Sequence, residues 1–179
     1  METIKLSIKE RLSYVLQLRT LQKLSDDEFE RNEYETMITA LLHGYTLHYN
    51  DIFGEFYEKE LSEDECRYVL SILEMYRGII YSYLDLQKHG NLKKLEESDI
   101  VFPGFDGNDD KECSYLGYAR YFVRDLGRYD EIKDRTMDDF NSHMPTIDLY
   151  NRMLAIWKQK DQMRRYKMSE EEIRELLDA

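Results

Sequence analysis

The acidic side chains Asp106, Asp109, Asp110 and Glu112 crowd one short stretch, GFDGNDDKE at 104–112. Clustered carboxylates supply oxygen ligands for a hard cation such as Mg2+ or Ca2+, or the acid and base of a proton transfer. The stretch lacks the alternating acidic positions and closing glutamate of a calcium loop, and its glycines fit a turn. Asp106 is therefore expected to satisfy backbone N–H groups between Gly104 and Gly107, with a cation site or proton chemistry as the alternatives. Just beyond, helical spacing places Tyr115, Tyr118 and Phe122 along one side, with Tyr121 beside them. Gly117 lies inside this helix, where glycine costs about 1 kcal/mol relative to alanine. A close helix contact, or else a ligand, is expected to fill the gap opposite Cys113 and Arg120. Arg120, Arg124 and Arg128 recur every fourth residue. Such a row can clamp an anion, although pairing with the chain's many carboxylates is the default. Asp106, Tyr115, Tyr118, Arg120, Arg128 and Tyr129 thus outline a candidate ligand pocket where the GFD loop meets the 115–129 helix.

Other chemistry is thinly represented. The histidines, His43, His48, His89 and His143, form no HExxH or HxH pattern and have no cysteine at zinc-ligand spacing. Each reads as a helix-end residue, with a metal shared by His43 and His48 across Gly44 as the less favoured alternative. Cys66 and Cys113 fall on apolar helix positions, where an inert buried thiol is the usual state. Neither GxxxxGK nor GxGxxG occurs. No catalytic residue, metal or cofactor is assigned on this basis, and the chain leans toward a non-enzyme, with an enzyme whose pocket lies between the GFD loop and the 115–129 helix as the alternative.

Composition narrows the classes further. The 179 residues carry 25 Lys and Arg against 37 Asp and Glu, a formal net charge of -12. Sequence-independent nucleic-acid binding draws on cations that displace condensed counterions, so the overall balance opposes it. Two local basic patches remain, 1–24 and KQKDQMRRYK at 158–167, and the second reads as a solvated helix end with phosphate binding as the alternative. No apolar run approaches the roughly 20 residues of a membrane span, no leader pattern is present, and cysteines are few. A soluble cytoplasmic protein is expected.

The elements that position these residues announce themselves by their starts. Ser7 with Glu10, Ser25 with Glu28, Ser62 with Glu65 and Ser169 with Glu172 share capping-box spacing, in which hydroxyl and carboxylate satisfy each other's backbone N–H. Only Pro103 and Pro145 interrupt the chain. An all-α, single compact domain of about six helices follows. The first helix is expected over 8–23, with Leu12, Val15 and Leu16 on one face and Tyr14, Leu18 and Leu21 on another. The second spans 26–43, burying Phe29, Met37, Ile38, Leu41 and Leu42, with Gly44 as a left-handed cap. Residues 45–61 read as a short helix broken at Gly54 or an ordered loop. A long central helix over 63–88 shows apolar residues on several sides, so more than one neighbour packs on it. An irregular loop at 99–110 follows, with a short extended piece at 99–102. A helix capped by Asp109 or Asp110 then runs to Leu126, residues 128–145 are irregular, Thr146 caps the Trp157 helix, and a last helix follows Ser169. Halves 1–89 and 100–179, packed together, are the natural subdivision.

CRYVLSILEMYRGI at 66–79, GFD at 104–106, YLGYARYFVRDLGRY at 115–129, FN at 140–141 and YNRMLAIW at 150–157 together resemble the YfbU family of bacterial proteins. The resemblance keeps its order over nearly the whole chain. It implies an all-helical bacterial domain and brings no activity, cofactor or catalytic residue with it. The N-terminal extension, the 158–167 segment and the loop before Gly104 depart from the family pattern.

Fifteen tyrosines, a many-sided central helix and no catalytic constellation point first to a protein-binding domain that associates with itself, with Tyr150 and Trp157 as core or interface anchors. A ligand pocket at the GFD loop is the alternative, and nucleic-acid binding through 158–167 is the second.

Overall fold

The computed structural model describes residues 4–53 and 60–179. Among the described residues it is all-α: α1 (Ile8–Leu24), α2 (Glu28–His43), α3 (Tyr49–Phe53), α4 (Glu63–Lys88), α5 (Asp110–Arg120), α6 (Asp130–Lys133), α7 (Ile147–Gln159) and α8 (Glu170–Leu177). The six expected helices are all present, α3 is the short helix weighed for 45–61, and the short α6 is an addition. Chain contacts divide the protein into two compact units, residues 1–60 and 61–179.

Three of the four expected capping boxes form. At Ser7, Ser62 and Ser169 the hydroxyl accepts the N–H of the third helical residue, and that residue's glutamate accepts the serine N–H. The fourth does not. Ser25 closes α1 as its C-terminal cap, and α2 starts on Asp27, whose carboxylate accepts from the Phe29 N–H at 2.7 Å. The link between the helices is too short for Ser25 to serve both ends, so the second cap falls to the aspartate two residues on.

In the 1–60 unit α1 and α2 pair as a hairpin over a small core of Val15, Ile38, Leu41 and Tyr49. Gly44 takes the left-handed conformation expected of it, at φ 73°. A 3-10 turn, Thr46–His48, leads into α3, and the expected break at Gly54 lies outside the described residues. The burial expected for Phe29 and Leu42 is not found: both are exposed, as are Leu12, Leu16 and Leu21. The pairing of these two helices uses only one stripe of each, which leaves these apolar positions exposed.

In the 61–179 unit α4 is the spine, packed against α5, α6, α7 and α8. Gly78 lets α7 approach closely, because a Cβ there would sit 2.2 Å from the Trp157 ring. Of the extended piece expected at 99–102, residues 101–102 are extended, whereas 99–100 belong to a 3-10 turn, Glu97–Ile100, in which the Asp99 carboxylate reaches back to the Glu96 N–H. Only single parallel bridges follow, Phe102 with Thr136 and Phe105 with Asn141. The helix begun by α5 changes pitch into a π-helical turn, Tyr121–Asp125, before Gly127 ends it at φ 59°. The segment expected to be irregular holds α6 and a 3-10 turn, Asp138–Phe140. Its backbone is unusual, with Tyr129, Asp139, Phe140 and His143 in the left-handed region at φ 58°, 52°, 72° and 56°. Each such residue costs of order 1 kcal/mol or more, so the surrounding contacts must hold them there.

Candidate functional site

The GFD loop is an interior junction. Gly104 adopts φ 89°, and a Cβ on it would lie 2.0 Å from the Phe140 carbonyl oxygen. That closeness lets the Phe105 N–H donate to the Phe140 carbonyl at 2.9 Å and the Ser142 N–H to the Phe105 carbonyl at 3.0 Å. The Gly104 carbonyl accepts the Tyr150 hydroxyl at 2.6 Å, with the Thr146 hydroxyl oxygen 3.2 Å away. Asp106 is buried, and one carboxylate oxygen takes the backbone and side-chain N–H of Asn108 at 2.9 and 3.0 Å. Its neighbour Glu112, 3 % exposed, is the hub. Its carboxylate accepts from the N–H groups of Asp106, Thr146 and Ile147 and from the Thr146 hydroxyl, at 2.8 to 3.2 Å. Thr146 therefore does not cap α7 with its own side chain; Glu112 caps it from α5, where a negative charge meets the positive end of the helix dipole.

The residues expected to share a pocket are dispersed. Tyr115 is buried against Tyr68 and Phe105, both at 5.7 Å between ring centres. Tyr118 is half-buried beside Cys66, and its hydroxyl pKa is raised, by burial first and then by that thiol. Arg120 and Arg124 converge on the left-handed Asp139 at 2.8 and 2.6 Å, and Arg128 is exposed beyond them. Tyr150 and Trp157 lie in the core. Gly117 faces open space among the described residues, with no neighbour within 4 Å of an added Cβ, so no helix packs into the gap expected there. Cys113 is exposed rather than buried, because it sits on the side of α5 turned from the core. His43 stacks on Tyr45 at 5.4 Å, and His48 pairs with Asp51 at 3.1 Å, which separates the two histidines in role.

A second constellation, centred on Glu74 in the middle of α4, draws in one residue of the expected pocket, Tyr129. The hydroxyls of Tyr129 and Tyr166 both donate to the Glu74 carboxylate. Arg77, one turn on, lies over the Tyr129 ring at 4.4 Å and pairs with Glu131 at 2.6 Å. Burial, with Glu74 alongside, pushes the Tyr129 hydroxyl up to about 12, so it stays a proton donor at neutral pH. The left-handed backbone of Tyr129 is what turns its ring onto α4. Such strain concentrates at binding and catalytic sites, as do π-helical turns like the one just before it.

The third feature belongs to the 1–60 unit. Ile8, Leu12 and Leu16, one turn apart along α1, are 76 %, 56 % and 55 % exposed, and Leu24 and Phe29 at the turn into α2 are 74 % and 70 % exposed. Exposed large apolar side chains are thus concentrated along one edge of this hairpin.

Comparison with known proteins places this architecture. The YfbU domain matches residues 4–179. The chain belongs to the YfbU family. It is also 32 % identical over 177 residues to UPF0304 protein MJECS11 of Methanocaldococcus jannaschii, an alignment covering 97 % of this chain and 99 % of that protein. Neither name carries an activity, a ligand or a partner. Among the described residues no helix is long and apolar enough to cross a membrane.

In this YfbU chain the GFD, FN and YN motifs meet at one buried junction, where Gly104, Phe140, Asn141 and Tyr150 bond or touch. Three carboxylates that organise the 61–179 unit escaped the sequence reading in that role: Glu74, Glu112 and Glu170. Glu170 is buried and accepts the N–H groups of Lys93, Lys94 and Leu95 at 2.6, 2.8 and 2.9 Å. Its signal was masked, because Ser169 and Glu172 already account for the start of α8. Glu74 had a fainter one, a charge in the midst of the apolar stripes of α4.

Proposed function

We propose that this YfbU protein is a non-enzymatic helical domain that associates with a second copy of itself through the α1–α2 hairpin. The exposed stripe of Ile8, Leu12 and Leu16 carries the reading. Three side chains fall short of the roughly 800 Å² per partner that a stable interface buries, so α2 must take part. It has the complementary features. A groove of about 500 Å³ along α2 is lined by Glu35, Thr36, Met37, Ala40, Tyr45 and Ile52. Lys5, Lys9, Arg19 and Lys23 flank the α1 stripe, whereas α2 exposes Glu28, Glu30, Glu33 and Glu35. A two-fold axis that lays α1 of one copy over α2 of the other seats leucines in the groove and pairs opposite charges, twice.

Light scattering on the eluting full chain tests this. A dimer is expected, weakened by salt because its rim is charged. Leu12→Glu with Leu16→Glu converts it to a monomer with unchanged helicity, since both side chains are exposed. A wild-type monomer at high concentration refutes the reading.

A further inference from the structure

We infer that the cleft between α4, α7 and the turn ending at Arg165 is a binding site for a small hydroxylated phosphate ester, a polyol or sugar phosphate. The cleft has a volume of about 550 Å³ and lies wholly within the 61–179 unit. Arg67, Lys158 and Arg165 line it, a concentration of positive charge in a chain whose net charge is -12.

Arg165 is prepared for an anion. Its guanidinium lies over the Trp157 ring at 5.4 Å, and it donates to the carbonyls of Lys160 and Lys158 at 3.1 and 3.3 Å. Those bonds occupy two of its five N–H donors and fix its plane, so the rest are available in a preset geometry. Among the described residues Lys158 is exposed and has no ion-pair partner. Arg67 is held to Glu63 by an exposed pair at 2.5 Å, which a phosphate can replace at little cost.

The acceptors beside these cations select what the phosphate is attached to. Glu74 and Ser71 line it, with Leu70 and Leu154 between the polar groups. The Glu74 carboxylate accepts two tyrosine hydroxyls, and a carboxylate has room for about four donors. The Ser71 hydroxyl donates to the Arg67 carbonyl at 2.8 Å and so offers only its lone pairs. Both are acceptors in want of donors, which the hydroxyls of a polyol supply. Trp157 is 4 % exposed with a guanidinium over its ring, so it offers no open face on which a nucleobase could stack. That disfavours a nucleotide or a single-stranded nucleic acid.

Titration calorimetry on the full chain decides the matter, with glycerol phosphate, inorganic phosphate, glycerol and a short RNA as probes. Glycerol phosphate is expected to bind once per chain, inorganic phosphate more weakly, and glycerol without detectable heat. Lys158→Gln and Arg165→Gln should each weaken glycerol phosphate by about tenfold or more. Glu74→Gln should erase the preference for the ester over inorganic phosphate. Should Arg165→Gln fail to fold, Lys158→Gln remains decisive, because that side chain is solvent-facing. No heat with either phosphate, or full affinity in Lys158→Gln, overturns the assignment. So does RNA binding that depends on Lys158 and that glycerol phosphate does not displace.

Discussion

Replacing Glu112 with alanine tests the idea that one buried carboxylate joins the GFD loop to α7. The substitution removes the acceptor for three backbone N–H groups, of Asp106, Thr146 and Ile147, and for the Thr146 hydroxyl. A buried donor left without a partner costs about 1–3 kcal/mol, and bonds to a charged acceptor lie at the upper end. The costs do not add fully, because a truncated side chain admits water and the loop relaxes, so a loss of about 4 kcal/mol is expected. Glutamine keeps one carbonyl oxygen but turns an NH2 group toward donors, which places its cost between wild type and alanine, near 2–3 kcal/mol. Trp157 is the only tryptophan, is buried, and lies on the helix that Glu112 caps. Its fluorescence in urea therefore reports the unfolding of the 61–179 unit itself, and the midpoint should fall with little change in slope. A loss below about 1 kcal/mol for Glu112→Ala, or glutamine costing more than alanine, would refute the reasoning.

Two glycines give opposite signs in the same assay. Gly104→Ala should cost about 3 kcal/mol or more, because the residue has φ 89° and its Cβ would overlap the Phe140 backbone. Gly117→Ala should stabilise by about 0.5–1 kcal/mol, since it is a helix-interior glycine in open space; destabilisation would mean that something does approach it. The pH dependence should carry the mark of Glu170. Bonds from the backbone N–H of Lys93 first, against the opposing effect of burial, and then from Lys94 and Leu95, hold its pKa below the ordinary 4.5. A carboxylate depressed in the folded state adds stability that is complete above 4.5 and is lost as pH falls through the lowered value. Glu170→Gln should therefore flatten the acid limb of stability against pH, and an unchanged limb would show that the glutamate titrates as it does in the unfolded chain.

What the sequence made legible was local. Ser7, Ser62 and Ser169 start helices because a hydroxyl and a glutamate three residues apart need nothing but each other. The same rule misplaced Ser25, where the end of the preceding helix claimed the residue first. Asp106 was legible for the same reason, as its partner Asn108 is two residues away. Exposure was less so: Phe29 and Leu42 have helical spacing yet are exposed, and spacing alone records what a face is made of, not what covers it.

The carboxylates that join distant segments were beyond any local rule. Glu112 reaches Thr146, Glu74 reaches Tyr166 and Glu170 reaches Lys93, across separations of 34, 92 and 77 residues. Two of the three accept backbone N–H groups, which every residue except proline provides, so the partner's side chain leaves no trace in the sequence. Glu74 differs in that its partners are tyrosine hydroxyls, groups that also tolerate water. A carboxylate that serves only to hold two segments has no need of a cleft beside it or of cations lining that cleft. Glu74 has both, and this sets it apart from the two carboxylates whose work is finished when the chain has folded.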